Sequence, residues 1–165
     1  RAAIAADPQH AGAHCNLGCI LTERGDKAGA EAACRAAIAA DPQHAGAHCN
    51  LGCILTERGD KAGAEAACRA AIAADPQHAG AHCNLGLLLK QRGDKAGAEA
   101  AYRAAIAADP QHAEAHRNLG ILLAERGDIA GAARLFAAAL KINPASAQAK
   151  ANLQQALRML KEEKM

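Results

Sequence analysis

Apolar and polar positions along this chain follow a helical rhythm that breaks and restarts at fixed intervals. After Ala11, the residues Leu17, Ile20 and Leu21 recur at spacings of three and four, which puts them on one face of a helix running to about Arg24. Gly25 suits the left-handed residue that closes a helix and Asp26 is a strong N-cap, so a second helix is expected over roughly Lys27 to Ala40. Asp41-Pro42 stops it, because proline lacks an amide hydrogen and biases the preceding residue out of the helical region. The same events then repeat. Residues 1–34 and 35–68 are identical, and the unit restarts at Asp41, Asp75 and Asp109 before closing at Asn143-Pro144. A helical hairpin rewritten every 34 residues is the signature of a solenoid, in which each unit buries its apolar face against its neighbours and no single central core exists.

The pattern divides the chain into residues 1–10, the end of a truncated preceding unit, four hairpins at 11–44, 45–78, 79–112 and 113–146, and a closing segment at 147–165. In that last segment Leu153, Leu157 and Leu160 are expected to cover the final hairpin while Gln154, Arg158 and Lys161 face water. Arg1 to Ala6 repeats Arg35 to Ala40, so the chain opens in mid-helix and Ile4 lacks a hairpin partner. That end is expected to be frayed or adhesive, and a homo-oligomer formed through it, head to tail, is plausible.

Composition changes the picture in three respects. Half the residues are apolar, yet the chain holds one Tyr, one Phe and no Trp, so its core must be built from Ala, Leu, Ile and Cys. Burial per residue is modest, and the high helix propensity of alanine offsets part of the deficit. A net charge of +2 with acids and bases interspersed offers no basic field, which argues against nucleic acid as a partner. No apolar run is long enough for a membrane span and no leader is visible, although the chain does not begin with Met. The seven cysteines arise from repetition and are odd in number, which points to free thiols in a reducing, cytoplasmic compartment.

At Leu17-Gly18, Ala30, Ala37 and Pro42 the unit resembles a tetratricopeptide repeat (TPR), and the same set returns at Leu51-Gly52, Ala64, Ala71 and Pro76. It returns again at Leu85-Gly86, Ala98, Ala105 and Pro110, and at Leu119-Gly120, Ala132, Ala139 and Pro144. The resemblance implies an all-α, right-handed superhelical solenoid of helix-turn-helix units, with Ala147 to Lys161 as the C-terminal capping helix. It also implies a concave surface, lined by the first helix of each unit, that binds an extended or helical peptide. The chain departs from the family where His14, His48, His82 and His116 stand in place of a bulky residue, and where Leu21, Leu55, Leu89 and Leu123 replace a core Tyr. The aromatic residue of the second helix appears only as Tyr102 and Phe136, with Cys34 and Cys68 in the first two units, which are therefore expected to be looser.

Helix geometry places one stripe of each first helix toward the groove. The stripe reads Cys15, Cys19, Thr22 and Glu23 in unit one and Cys49, Cys53, Thr56 and Glu57 in unit two. It becomes Cys83, Leu87, Lys90 and Gln91 in unit three, then Arg117, Ile121, Ala124 and Glu125 in unit four. Lys90 and Arg117 are expected to meet an acidic partner residue, and Leu87 and Ile121, beside Cys83, an apolar one. Asn16, Asn50, Asn84 and Asn118 run alongside, one per unit. An amide both donates and accepts, so this ladder could hold a peptide backbone, as a similar ladder does in the TPR array of O-linked N-acetylglucosamine transferases; the alternative is that each Asn bonds a neighbouring helix. A clamp for acidic chaperone tails is disfavoured, because Cys15, Cys19, Cys49 and Cys53 stand where Lys and Arg would be needed. The Arg-Gly-Asp at each turn is explained by turn chemistry, with the Asp as a cap, and not by adhesion.

Cys15/Cys19 and Cys49/Cys53 are spaced i, i+4, with His10, His44 and His78 ahead of the first three first helices, so a soft metal is a conceivable ligand. The plainer reading is that cysteine is a small apolar filler multiplied by repetition, and metal binding is not favoured. No nucleophile sits with a base and no glycine-rich loop follows a strand, so the chain reads as a non-enzyme requiring no cofactor. The favoured function is a protein-protein interaction scaffold that binds a peptide or partner segment in its groove. The alternatives are a thiol-based metal-binding or redox-responsive scaffold, and an engineered or excised array without its own ligand.

Overall fold

The computed structural model describes residues 10–162, so the expectations for Arg1 to Ala6 lie outside the described residues. Nine α-helices make up the described chain: α1 (Ala11–Glu23), α2 (Lys27–Ala40), α3 (Ala45–Glu57), α4 (Lys61–Ala74), α5 (Ala79–Gln91), α6 (Lys95–Ala108), α7 (Ala113–Glu125), α8 (Ile129–Ile142) and α9 (Ala147–Glu162). Each turn between paired helices is set by two residues. Gly25 adopts φ 77°, a conformation that costs glycine nothing because it lacks a Cβ, and its counterparts Gly59, Gly93 and Gly127 do the same. The following Asp26 then accepts a hydrogen bond from the Gly29 amide at 2.9 Å, and Asp60, Asp94 and Asp128 cap α4, α6 and α8 in the same way.

Histidine caps α1, α3, α5 and α7, and Ser146 caps α9. Nδ1 of His10, His44, His78 and His112 accepts from the amide of Ala13, Ala47, Ala81 and Ala115 at 3.0, 3.1, 3.1 and 3.2 Å. A second histidine locks the preceding loop: Nε2–H of His48, His82 and His116 donates to the carbonyl of Pro42, Pro76 and Pro110. The repeated histidines thus satisfy backbone groups that a helix end and a proline turn would leave unpaired.

Fully buried alanines on the even-numbered helices, among them Ala30, Ala37, Ala64 and Ala71, let each pair of helices approach closely. Cys34 and Cys68 fill, at complete burial, the positions held by Tyr102 and Phe136 further on. Helices α1, α3, α5 and α7 each pack on their hairpin partner, α3, α5 and α7 also on the even-numbered helix before them, and the four touch one another in succession. No even-numbered helix among α2, α4, α6 and α8 touches the next. Helices α1, α3, α5 and α7 therefore line the inner wall of the stack and α2, α4, α6 and α8 fan out along its outer wall. Helix α9 packs on α8 and α7, closing the array, with Ala156 buried and Leu153 and Leu160 half-buried against Phe136 and Ile129.

Candidate functional site

Over the first three repeats the inner wall is where the chain changes most. Helices α2 and α4 are identical and α6 differs from them only by Tyr102, whereas the odd-numbered helices change at the groove positions: Cys19 and Cys53 give way to Leu87 and then Ile121, and Thr22 and Thr56 to Lys90 and Ala124. Cys19, Cys53 and Leu87 are exposed along this wall, and Lys90, Arg117 and Ile121 are half-buried. Lys90 Nζ pairs with Glu125 at 2.6 Å and Arg117 with Glu114 at 3.6 Å, so both cations expected to await an acidic ligand already hold a carboxylate.

Cys83 corrects one expectation. Expected on the groove surface, it is only 3% exposed, packed with Tyr102 and Leu119. Burial pushes its thiol up to about 12, with the Glu114 carboxylate adding to the shift. The asparagine ladder also acquires a partner that sequence alone left open. Asn50 Nδ2 donates to Cys15 Sγ at 3.4 Å and Cys19 Sγ at 3.2 Å, and Asn84 Nδ2 to Cys49 and Cys53 at 3.5 and 3.0 Å. Asn118, itself buried, reaches only Cys83, at 3.7 Å. Each of these amides ties its helix to the inner helix of the preceding repeat. Asn16 is exposed.

The thiols divide by environment. Burial raises Cys34 to about 11 and Cys68 to about 12, and both are core residues. Burial also raises Cys15. Cys49 is raised because its thiol proton is held in a hydrogen bond with Cys53, and Cys53 is lowered by that same bond and by the Asn84 amide. Among the described residues no three His, Cys, Asp or Glu side chains are grouped to hold a metal ion. At the C-terminal end of the groove an apolar cavity of about 300 Å³ opens between α7, α8 and α9, with Ile121, Ile129, Phe136 and Met159 as walls and Glu125 and Gln155 at its rim. Sequence reasoning placed Ile121 on the groove but missed the cavity, because Met159 and Phe136 meet it only when α9 folds back.

This architecture is that of an all-α helical repeat solenoid. The chain belongs to the tetratricopeptide repeat family, whose model matches residues 1–45, 23–79 and 83–147. No curated protein gives a significant match. Among solved structures, PilF of Pseudomonas aeruginosa superposes with a TM-score of 0.84 at 23% identity, over 94% of this chain and 71% of that one. YrrB, described as a TPR protein with an unusual peptide-binding site, matches with a TM-score of 0.71 at 21% identity, over 96% and 82% of the two chains. The first TPR domain of Spaghetti (RPAP3), bound to the HSP90 peptide SRMEEVD, matches with a TM-score of 0.67 at 19% identity, over 73% and 95%. Among the described residues no helix is long and apolar enough to cross a membrane.

Proposed function

We propose that this chain is a protein-interaction scaffold that holds a peptide or partner segment along its inner wall, without catalysis. The observation that carries the reading is where the first three repeats diverge: the outer helices α2, α4 and α6 differ only at Tyr102, while α5 departs from α1 and α3 at Leu87, Lys90 and Gln91 on the inner-wall stripe. The fourth outer helix, α8, also changes, at residues such as Ile129 and Ala133 that pack with α9. A scaffold needs its outer helices only to pack, whereas a ligand site needs distinct chemistry at each step along the groove. Two of the solved TPR structures that this chain resembles are described by their peptide-binding site or their bound peptide, which agrees with this use of the fold.

The groove changes character along its length, from thiol and acid at Cys19, Glu23, Cys53 and Glu57 to apolar at Leu87 and Ile121. The favoured ligand therefore presents one apolar side chain to the cavity beside Ile121 and Met159 and another to the exposed Leu87 of the preceding repeat. Because the amide N–H groups of Asn50 and Asn84 are spent on sulfur, the ladder contributes their carbonyl oxygens, as acceptors for peptide N–H. Lys90 and Arg117 would have to exchange Glu125 and Glu114 for a ligand carboxylate.

The test is a displayed peptide library selected on the full chain, followed by backbone NMR mapping of the selected peptides. Shifts confined to α3, α5 and α7, with binding lost in Leu87→Asp/Ile121→Asp, are expected. Shifts on α2, α4 and α6, or affinity unchanged in that variant, would move the site elsewhere. Self-association is a second proposal on a separate observation: Ile20 is 45% exposed while its counterpart Ile54, covered by the preceding repeat, is 2% exposed. Sedimentation equilibrium of the wild type against Ile20→Asp decides it, since an oligomer that persists in the variant does not use this face.

A further inference from the structure

Peptide recognition does not explain why two successive inner helices carry a cysteine pair. Cys15 and Cys19 lie one turn apart on α1, and Cys49 and Cys53 one turn apart on α3. In each pair a single nitrogen from the next repeat reaches both sulfurs, at 3.4 and 3.2 Å from Asn50 and at 3.5 and 3.0 Å from Asn84. The paired sulfurs are thus gathered on one side of their helix, and Cys19 and Cys53 open the pair to the groove.

This spacing disfavours a disulfide. Cβ atoms four apart on a helix stand about 5–6 Å from each other, whereas a disulfide needs roughly 3.5–4.5 Å. A metal bridging two sulfurs spans the wider gap, because each metal–sulfur bond adds about 2.3 Å. No third His, Cys, Asp or Glu joins either pair among the described residues: His10 and His44 accept backbone hydrogen bonds as helix caps, and His48, directly before Cys49, donates to the Pro42 carbonyl. Zinc completes four ligands in structural sites, so the pairs do not suit it. Two thiolates alone suit a soft monovalent ion that is content with two-coordinate geometry, and thiolates select Cu(I).

We infer that Cys15/Cys19 and Cys49/Cys53 each bind one Cu(I) ion as a two-coordinate bis-thiolate, held by the amide of Asn50 or Asn84. On binding, each thiol releases its proton to water and two copper–sulfur bonds form; copper stays monovalent and no sulfur is oxidised. The complex carries one net negative charge, and the Asn N–H donor beside both sulfurs offsets it as an outer-shell partner. Unit three lacks the site, because Leu87 replaces the second cysteine and Cys83 stands alone.

The experiment is an anaerobic titration of the reduced full chain with Cu(I) against a chromophoric Cu(I) chelator, with X-ray absorption of the loaded protein. Two copper ions per chain, each with two sulfur neighbours, are expected. Cys53→Ser should leave one and Cys19→Ser/Cys53→Ser none, while Cys83→Ser keeps both. Both exposed positions tolerate serine, and circular dichroism checks that the helices persist. Asn84→Ala should weaken one of the two sites by about 10–100-fold. Copper retained by Cys19→Ser/Cys53→Ser, three or more sulfurs per copper, or no uptake by the folded wild type would each overturn the assignment.

Discussion

The Arg92 guanidinium, at the turn of the third repeat, reaches back 2.9 Å to Glu65 on the outer helix of the second. Glu65 also accepts from Arg69 one turn along its own helix at 2.8 Å. The motif recurs as Glu31 with Arg35 and Arg58, and as Glu99 with Arg103 and Arg126. The arginine of each Arg-Gly-Asp turn after the first is therefore an inter-repeat strut along the outer wall.

This ladder makes stability depend on pH in a defined direction. The hydrogen bond from the neighbouring i+4 arginine is the main cause that lowers Glu31, Glu65 and Glu99 below the ordinary carboxylate value of 4.5, with the strut arginine adding to it. A carboxylate with a depressed folded-state pKa stabilises the fold above its unfolded pKa, and that contribution disappears as pH falls through the folded value. The wild type should lose thermal stability between neutral pH and about pH 3. Glu31→Gln/Glu65→Gln/Glu99→Gln should start lower and lose less over the same range, and added salt should narrow the gap because the arginines are exposed. Parallel melting-temperature profiles for the two proteins would show that the ladder contributes nothing.

How much of this was legible in the chain follows from the range of each interaction. The helix ends were readable because Gly25, Asp26 and Pro42 act within a few residues of themselves, and Lys27–Ala40 was recovered as expected. The inter-repeat bonds were not. Asn84 meets Cys49 and Cys53 across 35 and 31 residues, and Arg92 meets Glu65 across 27, so a helical-wheel argument names the face of a residue without saying what covers it. Cys83 shows the same limit, since its stripe pointed to the groove while the overlap of α7 and the bulk of Tyr102 close it off. The histidine caps do leave a local signal, one histidine directly after each Asp-Pro-Gln, but at a position where Ser or Asp more commonly stands.

Gly86 and Gly52 hold the same place in successive repeats but face different neighbours. A Cβ on Gly86 would sit 2.6 Å from the Tyr102 ring, whereas one on Gly52 would meet the Cys68 sulfur at 2.9 Å. Alanine is favoured over glycine within a helix by about 1 kcal/mol, and overpacking a tight core costs about 1–3 kcal/mol. Gly86→Ala should therefore destabilise clearly, while Gly52→Ala should be close to neutral, because one sulfur can turn aside and a ring in a full core cannot. Urea unfolding of both variants reads the difference. Equal losses would mean that units one and two pack as tightly as unit three.

Tyr102 also carries an uncompensated group. Its hydroxyl is buried without a hydrogen-bond partner, and Phe136 fills the corresponding place in the next repeat without one. Leaving a buried donor unpaired costs about 1–3 kcal/mol, so Tyr102→Phe should raise the melting temperature. A fall on calorimetry would show that the hydroxyl finds a partner in solution.

Cys53 should be the thiol that reports on the groove. It is exposed, and the hydrogen bond from Cys49, seconded by the Asn84 amide, holds its pKa below the ordinary thiol value of 9.0. Cys34 and Cys68 are buried and raised, so they have neither access nor thiolate at neutral pH. Because the thiolate is the nucleophile, iodoacetamide at neutral pH should label Cys53 in the folded chain and reach Cys34 and Cys68 only after denaturation. Removing the hydrogen-bond donors reverses the shift: Cys49→Ala and Asn84→Ala should each slow labelling at Cys53 and move its rate profile to higher pH. Peptide mapping by mass spectrometry measures both effects. If a peptide selected on the groove also protects Cys53, the thiol lies under the ligand; labelling that proceeds unchanged with the peptide bound would place the contact at the Leu87 and Ile121 end of the wall.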